Sequence, residues 1–489
     1  MNIVLAAAEL APYEKGGGMA DVTGYLTIEW ARKENQVVGI LPLYESIDIE
    51  KHNIEYTGIS FPVEMGFITE EAKIYKVKNG IEKCDIYLIG HEDFFQVEYL
   101  YGEEKKRQDE DRRFIFFSRA VPELIKKINF SPDVINTHDY HTGFIHAFLK
   151  TYYKNDEYFQ KTVSVFTIHN LSYQGKFDPY RIMDFTGYSM KEFQVGSWFE
   201  HEGHINFMKT GIMYADKITT VSPTYAEEIK EPMYSEGLQE VISSRSGDII
   251  GVLNGVFYEE WSPEKDKRIV ANYSNTNIDR KLEDKKDLLN QFGFDVSKDL
   301  DTPIFGMVSR LSEHKGIDIL NSKIAELLKN NNMILAVLGV GEERYEEFLS
   351  DLKDRYPANV LLRLDYSEYL AHKIMAGSDF ILVPSRFEPC GLTQMYGLKY
   401  GTIPIVRNTG GLSDTVKEYS SEKNEGYGFV FKHYNPDDFE YAIKRALTIY
   451  KSEPHWNIIR ENAMSQDNSS EKCAQKYIEV FKDTIDKFN

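Results

Sequence analysis

The residue types able to do chemistry gather in five short stretches. The first is Glu14-Lys15-Gly16-Gly17-Gly18-Met19-Ala20-Asp21-Val22, which follows an apolar run and opens a helical pattern. Glycines let a backbone approach a ligand closely, and a helix N-terminus offers N–H donors to an anion. Lys15 adds a positive charge beside Gly17 and Gly18. The spacing is neither a Walker loop nor a dinucleotide fingerprint. A flexible strand-to-helix turn remains the plainer alternative for this stretch alone.

Two further stretches, Asn136-Thr137-His138-Asp139-Tyr140-His141 and Thr167-Ile168-His169-Asn170-Leu171-Ser172-Tyr173-Gln174-Gly175, each end an apolar run. Ligands of open α/β sheets bind at the carboxyl ends of strands, so His138, Asp139 and His169 are expected in a polar cleft. A lone His is more often structural, but several polar residues on one sheet edge favour a site. His138, Asp139 and His141 are not expected to share a metal, because strand alternation points neighbours to opposite faces.

The fourth stretch is Ser309-Arg310-Leu311-Ser312-Glu313-His314-Lys315-Gly316. Arg310 leaves a strand and Lys315 stands at a helix start, so two cations and a helix N-terminus converge as a diphosphate site. The fifth is Val383-Pro384-Ser385-Arg386-Phe387-Glu388-Pro389-Cys390-Gly391-Leu392-Thr393-Gln394. Amides of Gly391, Leu392 and Thr393 at a helix start suit phosphate oxygens. An anion beside a diphosphate is useful only if something hydroxylated lies between, so Glu388 is expected to hold sugar hydroxyls. Thr409-Gly410-Gly411-Leu412 opens another helix on the same edge.

The elements that must position these residues alternate. Strand-like runs lie at 3–8, 37–42, 84–90, 133–137, 163–169 and 217–221, then at 303–309, 333–339, 359–364, 379–384 and 402–407. Amphipathic helical patterns lie between them, which predicts parallel sheets with helices on both faces. Eleven strands exceed a comfortable single sheet, so two doubly wound domains are expected, 1–256 and 257–467, with a helix at 468–489 returning to the first.

The chain has 489 residues, 57 Lys plus Arg against 77 Asp plus Glu, and a net charge of −20. A coat of DNA, RNA or anionic membrane needs positive surface, so no nucleic acid and no membrane partner is expected. A small polyanion needs only a few local cations. The three cysteines, Cys84, Cys390 and Cys473, support neither a disulfide framework nor a paired-cysteine zinc site. With no 20-residue apolar span and no leader, a cytoplasmic enzyme is expected.

Together these motifs strongly resemble bacterial glycogen synthases and plant starch synthases, the ADP-glucose-using retaining glucosyltransferases. Matches run along 15–22, 138–143, 166–175, 215–229, 252–263, 308–316 and 378–416. The resemblance implies a GT-B fold, two Rossmann-like domains facing across a deep cleft. It implies ADP-glucose as donor, an α-1,4-glucan such as glycogen or a maltooligosaccharide as acceptor, and no metal or cofactor. By resemblance Arg310 and Lys315 stabilise the leaving ADP, Glu388 orients the glucose, and Lys15 lies near the phosphates. His169 contacts the donor sugar and Asp139 the reacting centre or acceptor. Asn254 lines the cleft, Tyr366 packs on adenine, Asp21 supports the glycine loop, and Cys390, Gly391, Leu392 and Thr393 line the donor site. Met19, Tyr140 and Phe257-Tyr258 depart from the family's usual residues, and the Lys- and Glu-rich stretch 100–113 is shorter than usual. A UDP-glucose-using relative, a non-catalytic glucan-binding homologue and a glucan phosphorylase are the competing readings.

Overall fold

The computed structural model describes residues 1–78, 80–96 and 109–488. Residues 100–108 of the stretch singled out above therefore lie outside the described residues. The chain divides into two compact units, Met1–Leu253 with Ser470–Asn489, and Asn254–Ser469.

The first unit is built on a nine-stranded sheet. In spatial order its strands are Ile249–Gly251, Lys217–Thr220, Val163–Ile168, Val134–His138, Asn2–Ala6, Gln36–Pro42, Cys84–Gly90, Ile68–Val77 and Ile54–Met65. The first seven pair in parallel. Such strands are covered by helices on both faces and read as unbroken apolar runs, as in the buried segments 3–6 and 163–168. The last two form an antiparallel hairpin. Its outer strand alternates buried and exposed residues toward its end, since one face meets water. That mixture of polar and apolar residues hides the hairpin from a search for apolar runs, and the expected all-parallel set is corrected here.

The second unit carries a six-stranded, wholly parallel sheet. Its order is Val360–Arg363, Ile334–Leu338, Ile304–Val308, Phe380–Val383, Ile403–Arg407 and Phe429–Phe431. Phe429–Phe431 and Ile249–Gly251 are absent from the sequence expectation because three residues show no periodicity. Phe380 anchors the core, stacking on Phe305 at 4.7 Å and meeting Trp456 at 5.1 Å.

Both sheets reverse direction at their first strand. From Asn2–Ala6 the chain moves to Gln36–Pro42 on one side and later to Val134–His138 on the other. From Ile304–Val308 it moves to Ile334–Leu338, then to Phe380–Val383. The connections beside each reversal leave in opposite directions, so a crevice opens at the carboxyl ends of those two strands. Four of the five chemical stretches follow these strands, and 167–175 follows Val163–Ile168, the neighbouring strand.

The C-terminal helix Ser470–Phe488 packs on helix Gly18–Arg32 of the first unit. Trp30, fully buried, sits edge-on to Phe481 at 5.2 Å and Tyr477 at 5.9 Å, and its indole N–H donates to the Ala474 carbonyl at 3.3 Å. Ser470 donates to Glu29 at 2.9 Å. Trp30→Ala should destabilise this unit by about 3–5 kcal/mol, the cost of truncating a buried aromatic. Denaturant unfolding checks this, and a loss below about 1 kcal/mol would show that the helix docks without Trp30.

Candidate active site

In the second unit the crevice is formed by two pressed turns. Strand Ile304–Val308 leads through Arg310 and the turn Glu313–Lys315 to Gly316 and helix Ile317–Asn330. Gly316 has φ +80°, and a Cβ there would lie 2.2 Å from the Pro384 carbonyl oxygen. Only glycine lets this turn meet the end of strand Phe380–Val383. The Arg386 amide donates to the His314 carbonyl at 2.8 Å and ties the two turns.

That contact brings together two residues singled out separately in the sequence. Lys315 Nζ lies 2.7 Å from Glu388 Oε2, which also accepts from Ser385 Oγ at 2.8 Å. Glu388 is buried, and the close approach of Gly410 to its carbonyl, 2.0 Å from a hypothetical Cβ, locks its backbone. Arg407 Nε donates to the Ser385 carbonyl at 2.9 Å and braces the same turn. Arg310 is exposed. The His314 imidazole is pushed down by burial, then by Lys315 and Arg310, with Glu388 opposing. His314 thus senses both cations and the carboxylate at one place.

Gly391, Leu392 and Thr393 lie half-buried at the start of helix Thr393–Tyr400, where the first amides have no intrahelical partner. Cys390 is buried behind them. Buried Gln394 donates to the Cys390 carbonyl at 3.1 Å, the Gly391 carbonyl at 2.9 Å and Thr415 Oγ1 at 3.0 Å, fixing the turn. Tyr366 lies beyond strand Val360–Arg363, one strand removed from Ile304–Val308, and the residue is 72% exposed. Asn254 is buried, and its Oδ1 has no hydrogen-bond partner among the described residues.

In the first unit the crevice holds Asp139 and the glycine loop. Asp139 adopts φ +56° directly after strand Val134–His138, an unusual conformation for a non-glycine residue. This turn aims its carboxylate at the next strand end, where Oδ1 accepts the His169 amide at 2.7 Å. His169 Nε2 and His138 Nδ1 are 2.8 Å apart and share a hydrogen bond. Burial pushes the His169 imidazole down to about 3 and His138 well below its usual range. Both rings are neutral at physiological pH, suited to hydroxyl groups and not to balancing phosphate charge. Burial pushes the Asp139 carboxyl up to about 7, with Glu9 adding to the rise and the His169 and Asn170 amides opposing it.

The glycine loop differs from the sequence reading. The Gly17 amide, expected with Gly18 to face a ligand, donates to Glu9 Oε2 at 2.9 Å, as does the Gly16 amide at 2.6 Å. Lys15 Nζ pairs with Asp21 at 2.7 Å. Gly17 caps helix Gly18–Arg32, and both Gly17 and Gly18 are exposed. Glu9, Ser385 and Arg407 received no role from sequence. Their only signal is adjacency to a strand end or to Glu388, and their partners are distant in the chain.

Among the described residues one trio of metal-capable side chains, Glu260, Glu368 and His372, has ligand atoms within 4.8 Å of one another. Arg268 already bridges both carboxylates, at 3.2 and 2.6 Å, and Asp266 holds His372 Nδ1 at 2.7 Å. This is an ion-pair cluster centred on a guanidinium.

Two doubly wound units, each with polar residues gathered at the sheet reversal, define a glycosyltransferase of the GT-B fold. The family model for the starch synthase catalytic domain matches residues 2–244, and that for glycosyl transferases group 1 matches 291–464. The chain is 40% identical over 488 residues to a glycogen synthase of Thermosipho melanesiensis, covering 100% of each. It is 38% identical to a glycogen synthase of Bacillus subtilis, covering 98% of each. The solved catalytic domain of Starch Synthase IV from Arabidopsis thaliana, bound to ADP and acarbose, superposes with a TM-score of 0.91 at 30% identity, covering 99% of each chain. The chain belongs to the glycogen and starch synthase family of glycosyltransferases. Among the described residues no helix is long and apolar enough to cross a membrane.

The raised Asp139 carboxyl has a consequence for stability. Its pKa moves from 3.8 to about 7 on folding, so the folded chain keeps a proton that the unfolded chain has released. The group's contribution to stability therefore falls as pH rises through that interval. Asp139→Asn, which keeps the acceptor for His169, should stabilise the chain relative to wild type more at pH 8 than at pH 5. Thermal unfolding at both values checks this, and an equal difference at the two would refute it.

Proposed function

We propose that the chain transfers glucose from ADP-glucose to the non-reducing 4-hydroxyl of an α-1,4-glucan with retention of configuration. The observation that carries this reading is the Lys315–Glu388 pair beside Arg310 at the second sheet's reversal. A cation for phosphate and an anion for hydroxyls, 2.7 Å apart, match the two halves of a sugar nucleotide. ADP is favoured because the Arabidopsis starch synthase is described as bound to it.

Lys315 has three donors and uses one on Glu388. The others, with Arg310 and the amides of Gly391, Leu392 and Thr393, meet the diphosphate. Tyr366 offers an exposed ring for adenine. Glu388 Oε2 is taken by Lys315 and Ser385, which suits holding sugar hydroxyls better than attack at carbon. In the front-face reaction proposed, the C1–O bond to phosphate breaks first. The acceptor O4 then bonds to C1 on the same face and passes its proton to a phosphate oxygen. Negative charge grows on ADP, where each well-placed donor contributes about 2.7–4 kcal/mol. His169, as a neutral imidazole, serves the glucose; Asp139 serves the acceptor, Asn254 offers its amide oxygen to a ligand, and Lys15 supplements the phosphate cations. A cytoplasmic setting is proposed from three buried cysteines that form no disulfide among the described residues.

Incorporation of glucose into glycogen, assayed with ADP-glucose and with UDP-glucose, should favour ADP-glucose and require glycogen. A UDP-glucose preference would assign the chain to the alternative donor, and no transfer from either would leave a glucan-binding homologue. Lys315→Ala and Arg310→Ala should each lower kcat by about 10²–10³-fold; near-normal turnover would remove them from the leaving-group site. Glu388→Ala should abolish most transfer yet keep ADP binding, since it releases Lys315 from its partner. Calorimetry that shows lost ADP affinity would contradict that role.

A further inference from the structure

Glu9 stands three residues past the end of the central strand Asn2–Ala6 and is only 4% exposed. A buried carboxylate is costly unless it is fully engaged. One oxygen, Oε2, takes the amides of both Gly16 and Gly17, at 2.6 and 2.9 Å. Its backbone carbonyl takes Thr23 Oγ1 at 2.8 Å, one turn inside the following helix. The Ala11 amide donates to the Ala20 carbonyl at 3.0 Å, and Leu10 bridges Glu14. The loop that carries Lys15 is thus folded back onto the strand from which it departs, and Glu9 is the side chain that closes it. Around Gly17 itself nothing lies within 4 Å of a hypothetical Cβ, so packing does not hold the loop at that point.

We infer that Glu9 is a positioning residue: its carboxylate satisfies the glycine-loop amides and so fixes where the Lys15 ammonium is presented. The loop then acts on a phosphorylated ligand through the Lys15 side chain, and the amides of Gly16 and Gly17 serve Glu9. Asp21 holds Lys15 from the helix side at 2.7 Å, so the ammonium is set by two carboxylates, one through the backbone and one directly. This inference rests on the donor reading proposed above. It differs from an anion-binding glycine loop, in which the two amides would turn to phosphate.

The test compares Glu9→Ala and Glu9→Gln with wild type. Gln keeps one acceptor oxygen for the two amides, removes the charge and puts an NH2 donor in place of the other oxygen. Hydrogen–deuterium exchange of the peptide spanning the glycine loop, on the free protein, reads the geometry without reference to any substrate. Exchange should rise in Glu9→Ala and stay near wild type in Glu9→Gln. Steady-state kinetics with ADP-glucose and glycogen should show the donor KM raised on the order of 10- to 100-fold in Glu9→Ala, as for a misplaced contact group, with the glycogen KM unchanged and Gln restoring most of the loss. Unchanged exchange in Glu9→Ala, an unchanged donor KM, or an equal loss for donor and glycogen would overturn the inference. If Glu9→Ala does not fold, Glu9→Gln decides: donor KM and loop exchange near wild type support it, and loss of either overturns it. Wild-type turnover with ADP-glucose in the same assay separates a failure of the donor reading from a failure of the role given to Glu9.

Discussion

The constraint on which the rest depends is the reversal of strand order at the first strand of each sheet. Helices that leave two adjacent parallel strands in opposite directions cannot cover the strand ends between them. Backbone amides, helix starts and side chains from different parts of the chain then meet there without any further device. Lys315 reaches Glu388 across 73 residues, and the Asp139 carboxylate reaches the His169 amide across 30, because both pairs flank such a reversal or the strand beside it.

Electrostatics at these points is local and opposed to the whole. The chain carries a net charge of −20, yet burial and then Lys315 and Arg310 act on His314 to hold its imidazole down, against Glu388 and Glu342. A neutral glucan asks for no global field, so an acidic surface does not hinder it, whereas a diphosphate needs a few cations at short range. The two units handle their carboxylates differently. In the second, Glu388 is balanced by a lysine and a serine. In the first, Asp139 and Glu9 are held mainly by backbone amides, and burial raises Asp139 toward neutrality.

Much of the candidate site was legible because its motifs are contiguous. Residues 309–316 run from a strand end to a helix start, and 383–394 do the same, so their polar residues are grouped locally. The loop at 14–18 was legible as a glycine loop, but the pairing of its Gly16 and Gly17 amides with Glu9 was not. Glu9 lies five residues before Glu14, and no spacing rule connects its carboxylate to the Gly16 and Gly17 amides. The hairpin Ile54–Met65 with Ile68–Val77 escaped because its outer face is charged and exposed, so its strands lack the apolar run that marked the others.

The sequence by itself determined the alternation of strand and helix, hence two doubly wound units, since parallel strands must be apolar throughout and helices must carry an amphipathic face. It also determined the family, through motifs whose residue types are dictated by what they bind. Only the tertiary structure decided which carboxylate meets which cation or amide. Lys315 with Glu388, Lys15 with Asp21, Glu9 with two glycine amides, and His138 with His169 all depend on sheet order and loop path. Those are set by packing between segments far apart in the chain, to which local spacing is blind.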